Sequence, residues 1–405
     1  MNLPYFIAKR ISSPGRNSFS AVIHKIAIAS VALGIAIMLV TFMILGGFQE
    51  NIKDKIFSFS GHIQVKKFSL ANSFEEKPIT LEDSRRKAIE ADPYVDFIQE
   101  YAHKPGLLTK DDEVFGMLYK GISESFKKEV FEPYLVQGEF LNFSDTTKAN
   151  QVLISQRMAN DIGISVGDRV VGYFIMEPPR IRRFTVVGIF NTALDNFDEN
   201  IIIGDINLVR TLNKWKAEEV GGFEVFINDV DDLEAADNAL VNKLSIDQYS
   251  ERVDEKFIQI FDWLNLLSQN VSIFIWLILI VACFNMVSVI FILVMERTQM
   301  IGVFKALGAT DRQIRRIFSY NGIRLVVKGL VYGNLIAIVF GLIQHYLHII
   351  PLDPQNYYME YVPIDWDFGI TIGLNLLALL IISLVLFLPT AIIARIRPVK
   401  AIRFD

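Results

Sequence analysis

The chain alternates between two kinds of pattern. Four stretches carry almost no charge: Ile26 to Phe48, Val271 to Met295, Leu325 to Ile350 and Phe368 to Ile393. About 20 apolar residues cross the hydrocarbon of a bilayer, so each stretch predicts a transmembrane helix. From Gln49 to about Asn270 no run is long enough to span, and charges are frequent. The pattern there is of short β-like stretches: His62–Lys66, Glu113–Ile122, Gln151–Ser155, Asp168–Ile175, Arg183–Phe190, Asn200–Ile203 and Gly222–Ile227. Each is rich in β-branched and aromatic residues. Helical periodicity lies between them at Leu81–Ala91, Ser155–Ile162, Ile206–Lys214 and Asp231–Leu244. Ser250 to Gln269 is amphipathic, with Phe257, Ile260, Phe261, Leu264 and Leu267 at helical spacing, and it meets the second apolar run without a breaker. One stiff helix is expected over both.

These elements predict an α-helical membrane protein with four transmembrane helices. A large α+β extracytoplasmic domain is inserted between helices 1 and 2. The expected order is a cytoplasmic amphipathic N-terminus at 1–20, a first span at 21–48 and the inserted domain at 49–270. A second span follows at 271–295, a loop at 296–324 and a third span at 325–348. A short loop at 349–367, a fourth span at 368–393 and a tail at 394–405 complete it. Pro133 and the polar Asn142–Asn150 stretch leave room for two subdomains in the insertion. The first apolar run is too long for a signal peptide and has no small-x-small cleavage site after it.

Orientation comes from Lys and Arg. The short flanks with Arg10, Arg16 and Lys25, the 296–324 loop, and Arg395, Arg397, Lys400 and Arg403 are basic, whereas His345–Asp367 holds no Lys or Arg. The positive-inside rule then places both termini and the 296–324 loop in the cytoplasm. The 49–270 domain falls on the far side.

Composition agrees. Apolar residues make up 52% and charged residues 21%, a mixture that fits spans plus a sizeable water-exposed part. A net charge of -5 over 405 residues argues against nucleic acid. The single cysteine, Cys283, excludes an intrachain disulfide. No G-x-x-x-x-G-K-[ST] occurs, so this chain cannot cradle ATP phosphates in the P-loop manner.

Between the second and third apolar runs lies Met295-Glu-Arg-Thr-Gln-Met-Ile-Gly-Val-Phe-Lys-Ala-Leu-Gly-Ala-Thr-Asp-Arg-Gln-Ile-Arg-Arg-Ile-Phe318. Arg297 to Leu307 reads as a short helix stopped by Gly308, which takes the left-handed C-cap conformation cheaply. Thr310 opens the next helix, with Gln313 as capping-box partner. A short rigid helix between two spans suits a push from a cytoplasmic protein; an ordinary basic loop fits the same residues.

The whole chain resembles the FtsX/MacB-type ABC transporter permeases. The resemblance rests on Phe284-Asn-Met-Val-Ser and Met295–Ala309, and on the closing Leu388-Pro-Thr-Ala-Ile-Ile-Ala-Arg-Ile-Arg-Pro-Val-Lys-Ala-Ile-Arg-Phe-Asp405. Tyr5-Phe-Ile-Ala-Lys-Arg10, Gly46-Gly-Phe-Gln-Glu50 and Tyr361-Val-Pro-Ile-Asp365 resemble the LolC/LolE branch, the membrane subunits of lipoprotein release. The resemblance implies a non-catalytic permease subunit of the bacterial inner membrane that extracts lipoproteins by mechanotransmission. It implies as partners a cytoplasmic ABC ATPase dimer that binds the ATP and Mg, a second permease (identical or paralogous), the lipoprotein, a periplasmic carrier and membrane lipid. By the same resemblance Glu296, Arg297, Met300, Ile301, Phe304, Lys305, Leu307 and Gly308 form an ATPase-coupling helix. The Gly172–Thr185 hairpin, with Met176, Glu177, Pro178, Pro179 and Arg180 at its tip, matches the carrier-binding hook; an ordinary hairpin turn fits it equally. A MacB-like export or sensing permease with another cargo, and an FtsX-like regulator of a cell-wall hydrolase, are the alternatives.

Acyl chains need an apolar cleft. Phe42, Met43, Phe48 and Ile52 from the first helix, and Phe261, Leu264 and Leu267 from the second, would line it; the same stripes also suit packing. Asn285, mid-span, needs a polar partner. Gly34, Gly329, Gly333 and Gly341 fit close helix packing. His345 and His348, spaced i,i+3, read as an interfacial pair rather than a metal site, and Asp195, Asp198 and Glu199 as a solvated turn.

Overall fold

A computed structural model describes residues 7, 19–68, 76–110, 113–143, 150–353 and 357–390. The amphipathic N-terminus expected at 1–20, apart from Ile7, Phe19 and Ser20, and the part of the closing motif beyond Thr390 therefore lie outside the described residues. The chain divides into two compact units. One holds residues 1–49, 263–351 and 361–405; the other holds 50–262 and 352–360.

Among the described residues, four helices are long and apolar enough to cross a membrane. They belong to α1 (Phe19–Ser60), α9 (Ile258–Glu296), α11 (Asp311–Leu347) and α12 (Phe368–Val385). At 1.5 Å per residue α1 and α9 are each about 60 Å long, twice the ~30 Å of hydrocarbon. The expected end of the first span at Phe48 is therefore not the end of its helix. Nothing from Gln49 to Ser60 breaks it, and Gly46 and Gly47 keep their backbone bonds.

In the first unit the buried side of α1 is a row at i,i+4: Ile23, Ala27, Val31, Ile35 and Leu39. Glycines on α11 bring the two helices close. A β-carbon at Gly329 would lie 2.6 Å from Val31 Cβ, and one at Gly333 would lie 2.8 Å from the Ala32 carbonyl oxygen. Asn334 and Asn375 exchange amide bonds of 2.7 and 3.0 Å between α11 and α12, satisfying both side chains where lipid could not. α12 stops at Val385, the residue whose carbonyl Pro389 cannot satisfy; the short α13 (Phe387–Thr390) follows.

The second unit is built on a ten-stranded sheet. Its strands are β1 (Ile63–Lys67), β2 (Val95–Lys110), β3 (Glu113–Ile122), β4 (Leu135–Gly138), β5 (Gln151–Ser155), β6 (Arg169–Phe174), β7 (Arg180–Phe190), β8 (Ile201–Asp205), β9 (Gly222–Ile227) and β10 (Gln248–Arg252). Helices α2 (Asp83–Glu90), α3 (Lys128–Phe131), α4 (Gln156–Ile162), α5 (Asp195–Asp198), α6 (Ile206–Asn213), α7 (Leu233–Val241) and α8 (Val253–Lys256) connect them.

The 16-residue β2 organises the sheet. One edge pairs with β3 from Tyr101 to Lys110. The other pairs with β9 up to Tyr101 and with β6 from Leu107. Following the ladders β2–β3–β8–β5–β7–β6 returns to β2, so six strands close a ring. Leu108, Tyr119, Val170, Phe174, Phe184 and Val186 are buried in its core. β9, β1 and β10 extend the sheet from the first half of β2. The buried core is continuous on both sides of residues 130–150.

One expected helix is corrected. Residues 250–252 are strand, because Ser250 pairs with Val65 in the β1–β10 ladder. The chain then forms α8, breaks at Phe257 (φ -105°, ψ 36°) and only from Ile258 runs unbroken to Glu296.

Candidate functional site

The segment between α9 and α11 forms a compact two-helix turn within the first unit. α10 (Thr298–Ala306) follows α9 after a bend at Arg297. The Thr298 hydroxyl donates to the Met295 carbonyl at 2.7 Å and so takes up an oxygen at the bend. Gly308 has φ +91°, and a β-carbon there would meet nothing within 4 Å. The expected capping box is present: the Thr310 hydroxyl accepts from the Gln313 N–H, and the Gln313 side chain accepts from the Thr310 N–H.

The residues named from the sequence separate into two faces. Ile301 is fully buried, and Met300 and Phe304 pack on the same core. Lys305 Nζ lies 2.8 Å from Asp311 Oδ1, across the Gly308 turn, with only 10% of its side chain exposed. Glu296 and Gly308 face outward, and Leu307 is 79% exposed. Val303, one turn before Leu307, is 47% exposed and joins it in an outward apolar pair. Projection of α10 at 100° per residue would have found Val303 opposite Ile301. Arg297 is half-buried, with a buried Nε that has no hydrogen-bond partner among the described residues. A short rigid helix with an apolar knob and a basic surround can seat in a groove of a partner and transmit force.

In the second unit β6 and β7 form the expected hairpin, paired from Arg169–Thr185 to Phe174–Arg180. Its tip, Ile175–Pro179, contains a cis Glu177–Pro178 bond. Met176 packs back on the core; Glu177, Pro178, Pro179 and Arg180 are exposed. The outer face of the hairpin adds exposed Tyr173, Ile175 and Ile181 beside Arg183. Alternation along the strand would have revealed this apolar face.

The proposed cleft residues are engaged in packing within their own units. Phe42 packs on the helical core and Met43 is buried. Phe48 meets Trp263 edge-on at 5.5 Å. The Gln49 amide donates to the Leu264 carbonyl at 3.0 Å and to Ser268 at 2.6 Å, with Leu264 buried and Leu267 half-buried. In the second unit Ile52 is fully buried and Phe261 lies 5.8 Å from Phe57. The Gly46–Gly47 exit and the Tyr361–Asp365 stretch, both read as branch markers, meet: the Asp365 N–H donates to the Met43 carbonyl at 2.9 Å. Asn285 donates to Ser30 at 2.8 Å. His348 stacks on Tyr361 at 3.8 Å.

The reading of Asp198 as solvated is overturned. It is 4% exposed, and its carboxylate accepts from the Thr192 N–H and, at 2.8 Å, from the Thr192 hydroxyl. Burial pushes its carboxyl above the usual range, against these hydrogen bonds.

Four membrane-length helices among the described residues, a short helix between the second and third, and an α+β domain inserted after the first define the class: a multi-pass permease. A model of the MacB-like periplasmic core domain matches residues 26–243, and one of the FtsX-like permease C-terminal region matches 272–398. The chain belongs to this FtsX/MacB-type family of ABC transporter permeases. Over its full length it is 24% identical to the lipoprotein-releasing system transmembrane protein LolC of Neisseria meningitidis serogroup B, covering 98% of that protein. It is 22% identical to LolE of Haemophilus influenzae, covering 99% of each chain. The periplasmic region of MacB from Actinobacillus actinomycetemcomitans is similar at 18% identity and a TM-score of 0.37, over 53% of this chain and 97% of that one.

Proposed function

We propose that this chain is the membrane subunit of an ABC complex that extracts lipoproteins from the bacterial inner membrane and releases them to a periplasmic carrier. One observation supports this above the others: lipoprotein-releasing membrane proteins are similar to it from end to end, through the inserted domain as well as the apolar helices. In this reading the termini and the 296–324 segment are cytoplasmic and the inserted domain periplasmic. The chain itself is non-catalytic. ATP and Mg are bound by a separate ATPase dimer, and a second permease, identical or paralogous, completes the complex.

Val303 and Leu307 seat in the ATPase, with Glu296 and Arg297 at the rim. ATP-driven closure moves α10, and α1 and α9 carry the motion along their unbroken length. Parting of the Phe42, Met43, Phe48 and Leu264 contacts opens an apolar cleft for acyl chains, with Leu267 beside it. The Met176–Arg180 tip presents the cargo to the carrier. No substrate crosses the bilayer.

Depletion followed by membrane fractionation tests the cargo: lipoproteins destined elsewhere accumulate in the inner membrane. An unchanged lipoprotein distribution would favour the second reading, a MacB-like permease with another cargo, which the match to the MacB-like core domain supports.

A further inference from the structure

The last carbonyls of a helix have no partner within it. At the end of α1 two of them are taken by side chains of the sheet. Lys120 Nζ, from β3, donates to the Phe59 carbonyl and also lies 4.8 Å above the Phe59 ring. The Gln64 amide, from β1, donates to the Ser60 carbonyl at 3.0 Å. Gly61, at φ +69°, turns the chain and presses on Glu224, whose Cβ would be 2.8 Å from a β-carbon there.

Glu224, from β9, completes the arrangement. Its Oε1 lies 2.7 Å from Lys120 Nζ, and its Oε2 accepts from the Gln99 amide of β2 at 2.7 Å. Lys120 and Glu224 side chains are 3% and 1% exposed. Gln64 also accepts from Lys256 Nζ at 2.8 Å, and the Val253 N–H donates to the His62 carbonyl at 3.0 Å. The residues leading into α9 are thus held at the same knot as the end of α1.

A buried ion pair is weak ground for stability, because desolvation offsets much of its attraction and apolar residues of similar volume often hold a fold as well. What apolar residues cannot do is bond a helix-terminal carbonyl. The α1 end is also where a cation is favoured by the helix dipole. We infer that Lys120 and Glu224 are positioning residues that lock the end of α1 to three strands of the sheet, so that movement of the helix becomes movement of the domain. This rests on the proposed function and deepens it by naming where force enters the domain.

The test uses the full complex with its ATPase, in lipid nanodiscs loaded with an acylated lipoprotein. The double substitution Lys120→Met with Glu224→Leu keeps the volume and removes the carbonyl bond. ATP turnover is expected to stay near wild type and the melting temperature to fall modestly, because the Phe59 carbonyl and the Gln99 amide lose their partners, while lipoprotein released per ATP falls at least tenfold. Hydrogen exchange at amides 61–66 is expected to quicken at least tenfold, with β5 and β8 unchanged. Unaltered release per ATP, or unaltered exchange at 61–66, overturns the inference. If the double variant does not assemble, Gln64→Met decides: it removes the Ser60 carbonyl bond, leaves the Lys120–Glu224 pair whole and frees the exposed Lys256 ammonium to turn to water, and the same two readouts must move in the same direction. A wild-type complex that turns over ATP but releases no lipoprotein refutes the cargo instead, and the exchange measurement then judges the joint alone.

Discussion

Lys305 and Asp311 form an ion pair of 2.8 Å that spans the Gly308 turn and ties the end of α10 to the start of α11. Lys305 is therefore a strut inside the turn, whereas Leu307, two residues on, is 79% exposed. Different outcomes follow for the two. Leu307→Asp or Val303→Asp places a charge on the outward apolar pair and is expected to abolish co-purification with the ATPase. Asp311→Asn weakens a half-exposed pair worth at most about 1 kcal/mol, so association should persist. Pull-down of both variants from native membranes is the check; equal recovery of ATPase would remove α10 as the docking element.

Gly308 isolates the backbone requirement of the same turn. Its β-carbon position is open, so a substitution meets only the strain of φ +91°. Gly308→Ala should cost about 1 kcal/mol and Gly308→Val more, because β-branching disfavours positive φ further. Thermal unfolding of the full chain in detergent measures this. A Val variant as stable as Ala would show that the turn relaxes rather than resists.

The spans and this turn were legible because each rests on a local rule: length of apolar run, a glycine stop, a capping pair. Helix ends were not. Residues 50–60 carry Glu50, Lys53 and Asp54, which read as the end of a span, yet Ile52, Ile56 and Phe59 keep helical spacing and are buried. β2 was missed because Lys104-Pro-Gly106 reads as a breaker. The ladder tolerates Pro105 where one edge of β2 passes from β9 to β6 and has no partner. The Lys120–Glu224 pair joins residues 104 apart, and no local pattern links them. A hint was present in β9: all six of its residues are buried, so a carboxylate in that strand requires a buried partner.

Gly46-Gly47 and Tyr361–Asp365 turned out to be neighbours, and this gives a steric test. A β-carbon at Gly47 would lie 2.9 Å from the Pro363 carbonyl carbon and 3.0 Å from the Asp365 nitrogen, both backbone atoms that cannot rotate away. Gly47→Ala should destabilise by about 1–3 kcal/mol through forced separation. Gly373→Ala, on α12 with nothing within 4 Å, is the control and should be neutral or slightly stabilising. Parallel unfolding curves for the two variants would contradict the contact.

His62 makes the second unit sensitive to acid. Its Nδ1 accepts from the Ile227 N–H at 3.2 Å, and its ring lies 4.4 Å from Phe57 and 5.5 Å from Phe226. Burial holds its pKa down to about 4, against the pull of Asp96, whereas an unfolded histidine titrates near 6.5. Between these values the unfolded chain binds a proton that the folded chain refuses, so stability is fully present above about pH 7 and falls with acid until pH 4. The slope approaches 1.4 kcal/mol per unit below pH 6.5, with a limit of about 3 kcal/mol. His62→Gln does not titrate there. Unfolding midpoints of the full chain, taken from pH 7.5 to 4.5, should therefore converge on or cross those of the variant as pH falls. A constant difference across the range would mean that His62 takes up its proton as readily in the folded chain as in the unfolded one, and that its ring is not held as the Ile227 acceptor.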